Sequence, residues 1–119
     1  MGFFGDIFGT IKIAKQVTKE TLKLKNALEE YQKNDKVTAE DLAENINKLI
    51  ENTRKIVNSS NISADIKSSF INSFLGGIFS QTRDELSKAG LSATGNDVKE
   101  LLGWDQATYN KALRASIKN

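Results

Sequence analysis

A chain of 119 residues, 39% apolar and 27% charged, has the length and balance of one globular domain and can bury a core without staples. It holds no cysteine and no histidine, which excludes a disulfide framework and thiol chemistry and removes the usual general base and metal ligand. Seventeen Lys and Arg against fifteen Asp and Glu leave a net charge of +2, which neither demands nor excludes an anionic partner.

Proline is absent as well. Helix interiors exclude proline and β-turns lean on it, so a proline-free chain with helical periodicity is most simply all-α. No apolar run approaches the ~18 residues of a membrane span. The start of the chain does not read as a secretory signal, because Asp6 interrupts the apolar stretch and no positive charge precedes it. These features predict a cytoplasmic protein, with a peripheral position at the inner face of the membrane left open.

The first helix is predicted over residues 4–33. Phe3, Ile7, Thr10, Ala14, Val17, Thr21, Leu24, Leu28 and Tyr31 alternate at spacings of four and three, a heptad seam. Such a seam is satisfied either within the chain or across a homodimer. Lys12, Lys15, Lys19, Glu20, Lys23 and Glu29 occupy the other faces, and Asn34-Asp35-Lys36 breaks the pattern.

Thr38, with Asp41 three residues later, reads as the N-cap of a second helix over residues 38–58. Its apolar stripe is Leu42, Ala43, Ile46, Leu49, Ile50, Thr53, Ile56 and Val57. The run Asn58-Ser59-Ser60-Asn61 is a turn, since these side chains compete for backbone hydrogen bonds. Ser63 then caps a third helix over residues 63–89, with Ile66, Phe70, Ile71, Phe74, Leu75, Ile78, Phe79 and Leu86 as its apolar face. Gly76-Gly77 inside that helix costs ~1 kcal/mol per glycine relative to alanine. Close approach of a neighbouring helix is the expected compensation, and a hinge is the alternative. Gly90 is the expected stop, with Leu91 folding back onto the last turn.

A polar connector over residues 92–96 leads to two short helices, predicted over residues 97–102 and 106–117. Gly103-Trp104 turns between them and Asp105 caps the second. The expected fold is a single all-α domain. A three-helix antiparallel bundle fills residues 1–90, and the C-terminal pair, residues 95–117, lies across one end of it.

Catalytic patterns are missing. No Ser–His–Asp or Cys–His arrangement can form, and neither a phosphate-cradling glycine loop nor a calcium loop is present. Ser and Lys are abundant, but no spacing marks out a pair. Glu40, Asp41 and Glu44 cluster where carboxylates favour the positive end of a helix. The chain therefore reads as a non-enzymatic binding or regulatory module without cofactor or metal site, and a protein is its first expected partner.

Two segments could do the binding. In residues 1–13, Phe3, Phe4, Ile7, Phe8 and Ile11 concentrate large apolar side chains, and Lys12, Lys15 and Lys19 follow directly. These side chains can belong to the core, fill a groove on a partner protein, or lie in a membrane interface with cations near anionic lipid. Met1-Gly2-Phe3-Phe4 followed by Ile7-Phe8 resembles the start of the phage-shock protein A family over about ten residues. That resemblance implies docking on the inner bacterial membrane. Phe3, Phe4, Ile7, Phe8, Ile11, Lys12 and Lys15 are the candidate partner- or membrane-binding residues. Gly5 and Gly9 sit outside any apolar span, and Asp6 stands where myristoylation requires Ser or Thr.

The second segment, residues 95–115, has a helix–glycine turn–helix layout. Val98, Leu102, Trp104, Tyr109, Ala112 and Leu113 are expected to pack inward, while Gln106, Ala107, Asn110, Lys111 and Arg114 project. Gln and Asn can pair with adenine, Arg and Lys with guanine or phosphate. Residues 103–115 are similar to the recognition unit of the phage Cro repressor family, with Gln106, Asn110, Lys111 and Ala112 at matching positions. The resemblance implies duplex-DNA contact through Gln106, Asn110 and Lys111, to which the exposed position of Arg114 adds a fourth candidate. Lys99 departs from the small residue of that family and Tyr109 from its compact aliphatic. Residues 88–119 carry five basic against three acidic residues, a thin footprint for phosphate contacts.

Overall fold

The side chains at the predicted breaks close the helices in chain order. Asn34 accepts from the Lys36 backbone N–H through Oδ1 at 3.0 Å and so bends the chain after the first helix. Thr38 Oγ1 accepts from the Asp41 N–H at 3.1 Å, and Asp41 Oδ2 accepts from the Thr38 N–H at 3.1 Å, a reciprocal capping box. Ser59 Oγ donates to the Lys55 carbonyl at 2.7 Å, and Ser63 Oγ accepts from the Ile66 N–H at 3.3 Å. The computed structural model describes residues 3–88 and 94–118, with side chains over 10–88 and 94–117. Within them the order is α1 (Phe3–Lys33), α2 (Ala39–Asn58), α3 (Ala64–Lys88), α4 (Gly95–Leu102) and α5 (Gln106–Lys118). The described residues form helices and no strand. Gly90 and Leu91 lie outside them, and so do residues 92 and 93 of the connector.

α1, about 46 Å long at 1.5 Å per residue, spans most of the 50 Å long axis of the molecule. α2 runs against it, since Val57 joins Ile13 in one buried cluster and Leu42 meets Leu28 near the other end. α3 runs in the direction of α1. Thr10 shares a cleft with Ile66, Val17 and Leu24 flank Phe74 and Ile78, and Gln32 Nε2 donates to the Glu85 carbonyl at 2.7 Å.

The buried stripe of α1 differs from the predicted seam. Ile13 is buried and Ala14 is exposed, and the stripe continues through Glu20, Leu24 and Leu28, with Val17 and Tyr31 half-buried. Burial free energy scales with apolar area, so isoleucine takes the inward position from its smaller neighbour. Glu20 is buried as well: its Oε1 meets the exposed Lys23 at 3.1 Å, and its Oε2 has no hydrogen-bond partner among the described residues. The α2 stripe follows the predicted pattern, with Ala43 and Ile56 half-buried.

α4 begins at Gly95, two residues before the predicted start. Thr94 and Asp97 form a second capping box, the Thr94 N–H donating to Asp97 Oδ2 at 2.8 Å. Gly103, with φ 67°, ends α4 in the left-handed region, where a side chain would be strained. The next residue turns inward. Trp104 is buried, and its Nε1 donates to Asn47 Oδ1 at 3.3 Å while Asn47 Nδ2 donates to the Leu102 carbonyl at 3.0 Å. One α2 side chain thus holds the α4–α5 turn.

α5 lies along α3 and not across an end. It runs antiparallel, with Tyr109 stacked obliquely on Phe79 (5.8 Å between centroids) and Ala115 over Gly76. A Cβ on Gly76 would stand 2.8 Å from Ala115 Cβ and 3.0 Å from the Ser116 nitrogen, so this glycine permits the helices to meet. That is the predicted close approach. The larger buried cluster reaches from Leu24 of α1 through Ile46 of α2, Leu75 and Phe79 of α3 and Val98 of α4 to Ala112 of α5.

Candidate binding surfaces

Burial along α1 defines a direction. Ile13, Val17, Glu20, Leu24 and Leu28 face the other helices, while Ile11, Lys12, Ala14, Lys15, Thr18, Lys19, Leu22 and Lys23 are exposed. Ile11 and Leu22 are 50% and 58% exposed, and Ile117 near the end of α5 is 74% exposed. The side chains of Phe3, Phe4, Ile7 and Phe8 lie outside the described residues, but the α1 backbone is helical from Phe3 onward. At about 100° per residue, positions 4, 7 and 8 share a side with Ile11, and positions 4 and 8 share it also with Leu22. Position 3 falls in register with Thr10, Val17 and Leu24. Of the seven residues singled out at this end, Ile11, Lys12 and Lys15 are exposed on the outward face.

Charge is concentrated on the same helix. The first 28 residues carry five lysines against two acidic residues, and the remaining chain carries twelve basic against thirteen acidic residues. The acidic Glu20 is buried, so the outward face between Ile11 and Lys25 is cationic and apolar at once. Leu22 extends this face beyond the stretch that composition marks, and the exposed spacing 11–15–18–22 is the signal that would have found it.

The α4–α5 unit forms the second surface. Asp105 accepts from the Thr108 N–H at 2.7 Å, as a helix cap does. Hydrogen bonds from Thr108, hydroxyl first and backbone N–H second, hold the Asp105 carboxyl below its ordinary value, and the charges of Lys111 and Arg54 add to the effect. The Thr94 backbone N–H, then its hydroxyl, do the same for Asp97. Val98, Leu102, Trp104 and Ala112 are buried and Tyr109 and Leu113 half-buried, as their spacing predicts. Gln106, Ala107, Asn110, Lys111 and Arg114 are all exposed on one face of α5.

That face is partly engaged within the chain. Lys99 Nζ donates to Gln106 Oε1 at 3.0 Å and Gln106 Nε2 donates to Asn110 Oδ1 at 2.9 Å. Lys111 and Arg114 stand apart from this chain of bonds. They line a cleft against α3 with Asp65, Ser68, Ser69, Asn72 and Ser73. No motif or spacing signals this pairing of α3 hydroxyls with α5 cations, since the two segments are separated by an entire helix.

Among the described residues, no group of three or more acidic side chains is placed to hold a metal ion. No helix among them is long and apolar enough to cross a membrane. Comparison with known protein families, with curated proteins and with solved structures finds no match for this chain.

Proposed function

We propose that this chain is a non-enzymatic binding module, a three-helix bundle of α1–α3 carrying the α4–α5 pair. The outward face of α1 engages its partner. One observation carries the reading: Ile11 stands half in solvent on an unbroken helix, on the side that positions 4, 7 and 8 also occupy. The exposed Ile11 and Leu22 lose water only when a second surface covers them. Lys12, Lys15, Lys19 and Lys23 run alongside, so the complementary surface is apolar and anionic. An acidic lipid face fits best, since an amphipathic helix buries its apolar side at the acyl boundary with cations at the headgroups. A partner protein with an acid-rimmed groove is the other occupant that this chemistry admits.

The test is removal of residues 1–8, together with the triple change Phe4→Glu, Phe8→Glu and Ile11→Glu in the full chain. The full chain should co-sediment with phosphatidylglycerol vesicles and not with phosphatidylcholine ones. Both variants should lose that association and keep their helical circular dichroism. Capture of a protein by the full chain alone, without vesicle binding, assigns the face to a protein groove. Unfolding of both variants would mean the head of α1 is core, and the proposal fails.

The co-facial exposure of Gln106, Asn110, Lys111 and Arg114 favours a second reading, a DNA-binding regulator. It requires the Lys99–Gln106–Asn110 bonds to open toward base edges. Salt-sensitive retardation of duplex DNA, abolished by alanine at those four positions, supports it. No shift at low salt removes it.

A further inference from the structure

The cleft between α3 and α5 has a volume of about 450 Å³ and opens to solvent. Ser68, Ser69 and Ser73 of α3 and Lys111 and Arg114 of α5 are exposed there, and Asn72 is half-buried. Helical spacing builds the two walls. Ser68 with Asn72 and Ser69 with Ser73 stand one turn apart on α3, and Lys111 with Arg114 one turn apart on α5. The seat of Ala115 on Gly76 holds the helices near enough for both walls to line one space.

The other cations of α3, α4 and α5 whose side chains are described are engaged within the chain. Lys67 donates to the Asn58 carbonyl at 3.2 Å and Lys99 to Gln106 at 3.0 Å. Lys88 meets Glu85 at 3.4 Å, and Arg83 lies 5.3 Å from the centre of the Phe79 ring. Lys111 and Arg114 make no hydrogen bond and no ion pair among the described residues, and Lys111 acts on Asp105 through charge alone. Three hydroxyls and an amide thus share a cleft with two unpaired cations. All six can donate, and a tetrahedral oxyanion accepts from several directions at once. Asp65 lines the same space. Its carboxylate opposes a bare anion and accepts from an anion that carries hydroxyls.

We propose that this cleft binds the phosphate group of a hydroxylated ester, glycerol phosphate in its simplest form, with Lys111 and Arg114 on the phosphate and Asp65 on a hydroxyl. Asp65, Ser69 and Ser73 also line the cleft that reaches Thr10 of α1. The site therefore lies at the end of the molecule where α1 begins, and its ester is either soluble or the headgroup of a lipid that α1 meets. The lipid source rests on the function proposed for α1; the site itself does not.

The test titrates the full chain with glycerol 3-phosphate, inorganic phosphate and glycerol at fixed ionic strength, followed by amide NMR shifts. Glycerol 3-phosphate should saturate, move the amides of Ser69, Ser73, Lys111 and Arg114, and bind about tenfold more tightly than inorganic phosphate, with glycerol weakest. Lys111→Gln with Arg114→Gln, exposed positions where glutamine keeps the helix, should weaken it at least about tenfold. Asp65→Asn should bring glycerol 3-phosphate to the level of inorganic phosphate. Phosphatidylglycerol vesicles separate the two sources. Loss of co-sedimentation in the Lys111–Arg114 variant assigns a lipid headgroup, and unchanged co-sedimentation assigns a soluble ester. No vesicle binding by the full chain removes the function proposed for α1 and leaves the soluble ester. No saturation by glycerol 3-phosphate below about 10 mM would overturn the proposal. So would inorganic phosphate bound as tightly, shifts confined to α1, or retardation of duplex DNA as the sole property that the Lys111–Arg114 variant loses.

Discussion

Two adjacent glycines in α3 occupy opposite environments. Gly76 is buried under α5, where an added Cβ would press on Ala115 and on the Ser116 backbone. A Cβ on Gly77 would meet nothing within 4 Å, because the position opens on a groove between α1 and α3 lined by Val17, Thr21 and Phe74. Gly76→Ala should therefore destabilise the protein by about 1–3 kcal/mol, because a backbone must move. Gly77→Ala should stabilise it by up to ~1 kcal/mol, the helix-propensity gain. Urea unfolding of the two variants checks both signs. A gain for Gly76→Ala would mean that α5 does not seat on α3. Sequence spacing puts both glycines at one helix contact and cannot divide their roles, because the partner backbone lies some forty residues on. Ile13 and Ala14 show the same limit. A strict heptad favours position 14, and the choice falls to the larger side chain once two helices, not one, stand against α1.

At the level of elements, helix ends are legible where a cap follows an obvious break. Thr38 with Asp41 can be read from spacing alone. Thr94 with Asp97 has the same spacing but reads as connector, because Gly95-Asn96 has the composition of a loop. The Asn47 latch on Trp104 is invisible to spacing, since its partners are 57 residues apart. Thr94→Ala should cost about 1 kcal/mol, lost with the cap, and a urea titration followed at Trp104 fluorescence measures it. Acid acts on the same unit. Asp97 and Asp105 have carboxyls held lower in the fold than in the unfolded chain. Their contribution is fully present above the unfolded value of about 3.9 and is lost as pH falls through the lower folded values. Amide shifts of α4 and α5 should stay constant from neutral pH down to about pH 4 and then move together. Loss of these shifts well above that range would mean the caps are not formed.

Over the whole molecule, stability is unevenly distributed along α1. Leu24 and Leu28 belong to the large buried cluster that ties α1 to α2, α3 and, through Phe79 and Ala112, to α5. Ile13 belongs to a small one, with Val57 and Ile62 as its other buried members. The outward face proposed to bind a partner thus rides on the less anchored end of the longest helix. Composition shows the apolar head and the lysines behind it, but the division of the core depends on where three helices converge, which periodicity does not reveal. Leu75→Ala, in the large cluster, should cost about 2–5 kcal/mol and lower protection from hydrogen exchange everywhere. Ile13→Ala should cost at most the low end of that range, about 2 kcal/mol, because the small cluster can open on its own. Its effect on exchange should be confined to residues 10–17 and the α2–α3 turn, with Leu24 and Leu28 amides unchanged. Uniform loss of protection in Ile13→Ala would show one cooperative unit, in which case the α1 face is rigidly presented and cannot adjust to the surface it meets.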